Sequence, residues 1–242
     1  MIPHSDWYVK DPSSISPEIV ALAHLIKKRI TVVNRLKKLG MPHYPIRHLA
    51  YLDYQKEKFR TAREAGVRML ILSAIAYVAE FPDEKLTVIA WLMQQDLWAG
   101  VSEKEKAFVH NLNPSPEENM QMSWRGDGAY TLAWCLGLID TLPPVDRAPT
   151  DEEIEKFHQT VPAIGSEVRS FLDELTFRPL EEIFEENIVN ELITSYMRDL
   201  KITGQSNLTN IIEDISIERH YVLNWLRRFN DNDDWDEVDT ST

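Results

Sequence analysis

Glu218, Arg219 and His220 are consecutive, and Asn224 follows His220 by four residues. A carboxylate, a guanidinium and an imidazole gathered in one helical turn are the ingredients of acid–base chemistry or of an anion site. Arg125 and Asp127 form a second charged group, directly after Trp124. An aspartate in the first turn of a helix complements the helix dipole, whereas an arginine there does not, so Arg125 calls for a specific anion. Glu218 is the candidate, and a charge-assisted hydrogen bond between the two would lock their helices together. On the functional reading Arg125, Glu218, Arg219, His220 and Asn224 form one polar pocket. On the structural reading they are an ion-pair network that fixes helix register, a common use of buried charges, and this reading carries more weight. Trp124, Trp225 and Trp235 set large apolar rings beside these charges and are candidate contact points for a partner.

Other reactive side chains argue for less. Cys135 stands among Trp134, Leu136 and Leu138, an apolar setting that raises a thiol pKa and makes it inert. Glu155-x-x-His158 has the spacing of half a carboxylate-bridged di-metal site, but no second copy follows. Asp231, Asp233, Asp234, Asp236, Glu237 and Asp239 lack the glycine and glutamate spacing of a calcium loop. His43 and His48 have no third ligand and read as surface residues. No glycine-rich phosphate loop, dinucleotide fingerprint, His-Glu-x-x-His or Gly-x-Ser-x-Gly occurs. No cofactor and no metal are therefore expected, and the balance leans away from an enzyme.

Nearly every segment that could position these residues reads as helix. Ser16-Pro17-Glu18 is a start signal for a helix that runs to Leu39 and stops at Gly40. Pro42 and Pro45 mark a connection to a second helix over roughly Gln55 to Glu80, ending before Pro82. A third opens at Asp83. Ser102-x-x-Glu105, Ser115-x-x-Glu118 and Thr150-x-x-Glu153 have capping-box spacing. The helix holding Ala129 to Ile139 is apolar on all faces and should be buried. Further helices are expected over Thr150–Gln159, Ser166–Glu174, Leu180–Leu200 and Ile215–Phe229. Thr141–Pro149, with three prolines, is the best internal loop and a candidate subdomain break within one helical domain, 1–242. Trp235 is out of place in a disordered acidic tail, so the tail from Asn230 should strap back onto the body.

Hydrophobic content of 43% and charged content of 27% suit a soluble globular protein. The longest uncharged apolar run, Met69 to Ala79, is about half of what a membrane-spanning helix needs. The first residues do not read as a secretory signal, and one cysteine allows no internal disulfide, so a cytoplasmic location is expected. The net charge is −13, so nucleic acid is not the expected partner. The charge is uneven. Residues 1–70 hold 13 Lys and Arg against 6 Asp and Glu, and residues 71–242 hold 13 against 33. The simpler account is a basic N-terminal part packed on an acidic remainder; the sharper one is a basic patch at Lys27, Lys28, Arg29, Arg35, Lys37 and Lys38.

Ser123-Trp124-Arg125 with Leu132-Ala133-Trp134-Cys135-Leu136-Gly137 resembles the "WR…L-WaLG" signature of an uncharacterised bacterial family, domain of unknown function 4272. Glu218 to Leu226 is similar to that family's "ERHxALNWL" element, and Asp234 to Thr240 to its "WDxVxTDT" element. The likeness spans roughly Arg60 to Thr240. Gly126-Asp127-Gly128, Val222 and Ser241 depart from the pattern. The resemblance implies a helical fold and carries no activity with it. The expectation is therefore an all-α, irregular multi-helix bundle that acts as a non-enzymatic protein-binding or regulatory module. One form would be an acidic, toxin-neutralising immunity protein. The partner is expected to be another protein, with a homo-oligomer open; the alternative is an enzyme or small-ligand receptor using the Arg/Glu/His pocket.

Overall fold

A computed structural model describes residues 17–41, 54 and 57–241. Ser16, Pro42, His43, Pro45, His48 and Gln55, all singled out above, lie outside the described residues. Those described form an all-α fold with no strand among them. The helices are α1 Pro17–Lys38, α2 Ala62–Glu80, α3 Lys85–Gln94, α4 Glu103–His110, α5 Pro116–Ser123, α6 Arg125–Cys135, α7 Asp151–Thr160, α8 Arg169–Glu174, α9 Leu180–Thr203 and α10 Glu213–Leu226.

Local chemistry sets most of these bounds. The three capping boxes at Ser102, Ser115 and Thr150 all form and start α4, α5 and α7. A fourth starts α2: the Thr61 hydroxyl accepts from the Glu64 amide, and the Glu64 carboxylate accepts from the Thr61 amide. The helix therefore begins at Ala62, not near Gln55, and residues 57–60 run outside it, with the Arg60 amide bonded to the Leu226 carbonyl. Gly204 closes α9 at φ 66°, a left-handed conformation that costs glycine little. α10 stops at Leu226 and not at Phe229, because Arg228 and Asn230 both turn left-handed.

Two apolar clusters share α10 as their boundary. One joins α2, α3, α4, α6 and the later part of α10, and includes Leu70, Ile71, Ile75, Leu132, Val222 and Trp235. The other joins α1, α9 and the start of α10, through Val32, Leu36, Ile188, Ile193 and Ile215. α6 is buried from Asp127 to Cys135, as its all-round apolar sequence requires. It lies so close to its neighbours that a Cβ on Gly128 would stand 2.9 Å from both Glu218 Oε1 and Val222 Cγ2. Only glycine allows that approach without displacing the ion-paired carboxylate.

The uneven charge has a structural outlet. α1 lies on α9, where His24 meets Glu181 at 2.5 Å, Lys28 meets Glu185 at 3.2 Å and Arg35 meets Glu186 at 2.5 Å. At least these basic side chains are matched internally. The 141–149 loop is pinned to α10: Arg219 donates to the Pro143 carbonyl at 2.9 Å, and the Ile212 amide to the Val145 carbonyl at 2.8 Å. No helix among the described residues is long and apolar enough to cross a membrane.

Candidate functional site

Arg125 opens α6, and Glu218 lies on the first turns of α10. One guanidinium nitrogen of Arg125 donates to both Glu218 oxygens at 2.9 Å. Burial works against the Arg125 charge, but the carboxylate beside it outweighs that and holds the arginine pKa above its usual value. Burial also raises the Glu218 pKa, against the pull of Arg125. The result is a buried ion pair held by two charge-assisted hydrogen bonds.

Beside it stands a second pair. Arg68 on α2 is ion-paired with Glu105 on α4, at 3% and 1% exposure. Arg68 also donates to the Gly100 carbonyl at 2.9 Å. The other Glu105 oxygen accepts from the Ser102 amide, so one carboxylate both caps α4 and neutralises Arg68.

The C-terminal strap closes over both pairs. The Trp235 ring centroid lies 3.8 Å from the Arg68 guanidinium carbon and 5.5 Å from that of Arg125. Tyr221 and Trp225 meet the same ring edge to face at 4.9 and 5.6 Å. The Tyr221 hydroxyl donates to the Trp235 carbonyl, and burial pushes its pKa up. Asp236 then accepts from the Lys104 amide at the start of α4, at 3.0 Å. Arg60 stacks on Trp225 at 4.4 Å and donates to its carbonyl at 3.0 Å. Arg60, Arg68, Glu105 and Tyr221 belong to this cluster although sequence reasoning did not nominate them. An arginine directly before the apolar run of α2 was the available signal for Arg68.

Consecutive helix positions turn by about 100°, and the five residues expected in one pocket fan out accordingly. Glu218 faces α6, and Arg219 faces the 141–149 loop. His220 and Asn224 face α9 and the strap, four residues apart and 2.9 Å from each other. Asn224 accepts from Asn187 at 2.9 Å and donates to the Asp239 carbonyl at 2.8 Å. Burial, with Arg227 and Arg198 nearby, pushes His220 down to about 3, so it is neutral at any ordinary pH. Trp225 is buried, while Trp124 is half-buried between α5 and α6. Cys135 is fully buried, and burial pushes its thiol pKa up. Glu155 and His158 are exposed, and no three potential ligand side chains cluster for a metal among the described residues.

Two cavities adjoin this centre. A cleft of about 520 Å³ lies between α1, α9 and the 141–149 loop, with Arg219 and Glu186 among its lining residues. A groove of about 650 Å³ lies between α2, α5, α6 and α7. Its lining includes Ala76, Ala79, Gly126 and Ala129, along with Phe81, Met120 and Ile154, which are 45%, 57% and 41% exposed. Asp127 also lines it.

The family model described as Domain of unknown function (DUF4272) matches residues 27–238. No curated protein and no solved structure matches the chain.

Proposed function

The chain belongs to the DUF4272 family, and we propose that it is a non-enzymatic module that recognises another protein through the groove between α2, α5, α6 and α7. The observation that carries this reading is the groove itself: large, apolar side chains left exposed around a hollow lined by small residues. Such hollows accept the apolar face of a partner's helix or extended segment. The polar residues of the candidate acid–base set make internal contacts instead. Arg125 and Glu218 bind each other, His220 is buried and neutral, and Arg219 holds a loop carbonyl. A net charge of −13 favours a basic partner. An acidic antagonist that covers the basic active site of a toxin, inside the cell, is one concrete form of this module.

Site-specific photocrosslinking tests the reading. A crosslinking residue at Met120 or Ile154 should capture a discrete protein in the native cell. The same residue at Leu208, exposed in the loop between α9 and α10, should not, and Ala76→Trp should abolish the product by filling the groove. Capture at Leu208 equal to that at the groove positions would sink the proposal.

A further inference from the structure

The groove holds a charge that its surroundings leave unpaired. Asp127 is only 9% exposed and lines the hollow from the first turn of α6. Among the described residues its carboxylate has no hydrogen-bond or ion-pair partner; Arg219 acts on it only through its field. Burial pushes the Asp127 pKa up to about 6, against the pull of Arg219. The other two buried acids of the central cluster are matched: Glu218 by Arg125 and Glu105 by Arg68. Facing Asp127 are Arg219 and Glu218 from α10, with Tyr130 on its own helix, Glu80 on α2 and His158 on α7 along the groove. A buried carboxylate that stays ionised near neutral pH without a partner is costly, and a cation delivered to it would remove that cost.

Resting on the groove as the docking surface, we propose that the partner's docked segment inserts a lysine or arginine side chain that ends at Asp127. The apolar stem would lie along Ala76, Gly126 and Ala129, and the cationic end would meet the carboxylate. Long basic side chains are built for such a path, with an apolar stem and a charged tip. The charge fits as well, because residues 71–242 carry 33 acidic against 13 basic side chains.

The experiment uses n-butylamine as a stand-in for a lysine side chain and n-butanol as its neutral counterpart. Both are titrated into the full chain while the methyl NMR signals of Ala76, Met120, Ala129 and Ile154 are followed. At about pH 7.5 the amine should bind about tenfold more tightly than the alcohol, the worth of one charge-assisted hydrogen bond. That preference should vanish at about pH 5, where Asp127 is protonated, and at both pH values in Asp127→Asn. Equal binding of alcohol and amine at the higher pH overturns the cation while leaving the docking groove in place. So does a preference that survives Asp127→Asn. No response of these methyls to either probe overturns side-chain insertion altogether, whereas the docking reading itself stands or falls on the crosslinks at Met120 and Ile154.

Discussion

The Arg68 guanidinium carbon lies over Trp235, 3.8 Å from the ring centroid, while its nitrogens hold Glu105 and the Gly100 carbonyl. The ring thus acts as the lid of a buried ion pair. Removing it uncovers the charge and leaves a void against Tyr221 and Trp225 at the same time. Trp235→Ala should destabilise the fold by about 3–5 kcal/mol, the range for truncating a large buried ring. Chemical denaturation would measure this. A loss below about 1 kcal/mol would mean that the strap adds little to the core.

Arg125→Ala and Glu218→Ala should each cost about 3 kcal/mol, because each leaves its partner buried and uncompensated. The double variant should lose much less than the sum of the two, and a double-mutant cycle reads that coupling. Additive losses would show that the two residues act independently, against the geometry of their contact.

His220 and Asp127 pull the pH dependence of stability in opposite directions. The ordinary histidine value is 6.5 and the folded value about 3. The unfolded chain therefore takes up a proton first as pH falls, and stability due to His220 is present above about 6.5 and lost below it. By about pH 5 the loss is on the order of 2 kcal/mol. Asp127 moves from an ordinary 3.8 to about 6 in the fold, so falling pH relieves a strained charge and stability rises across that window. His220→Gln should flatten the acid limb of a stability–pH curve. Asp127→Asn should raise stability at neutral pH by on the order of 1–3 kcal/mol. Urea midpoints across the range check both signs, and an Asp127→Asn variant less stable than the parent at neutral pH would contradict the second.

Two glycines two positions apart in α6 should respond differently to alanine. At Gly126 a Cβ would meet only Ala76, at an ordinary 3.6 Å, so Gly126→Ala should be neutral or stabilising by up to about 1 kcal/mol. At Gly128 it would crowd Glu218 Oε1 and Val222 at 2.9 Å, so Gly128→Ala should cost about 1–3 kcal/mol. Thermal denaturation of the pair, each against the parent, decides this.

The sequence made the helical class legible because capping side chains sit at fixed offsets from the helices they start. Ser102, Ser115 and Thr150 could be read one box at a time. Arg125–Glu218 was legible for a related reason: an arginine at a helix start is electrostatically misplaced unless an anion meets it. The Thr61–Glu64 box is hidden in the sequence because the helical pattern upstream of it is just as good, and only the anchoring of Arg60 on α10 breaks that continuity. The single pocket was not there to be read, since neighbours on a helix diverge whatever their chemistry. Arg68, Glu105 and Trp235 come from three distant stretches, and Glu105 had an adequate local explanation as a capping residue. The groove is defined by what small side chains leave empty, and spacing within one helix says little about emptiness between four.

Trp235 follows in the chain the four residues whose charges and rings it meets: Arg68, Arg125, Tyr221 and Trp225. During synthesis the two buried ion pairs must therefore wait, unlidded, until the strap has cleared the ribosome. A chain stalled before Trp235 would present that uncovered, charged seam to the protein quality-control machinery. The position of one ring late in the order of synthesis thus makes translation through Trp235 a condition of closing that seam.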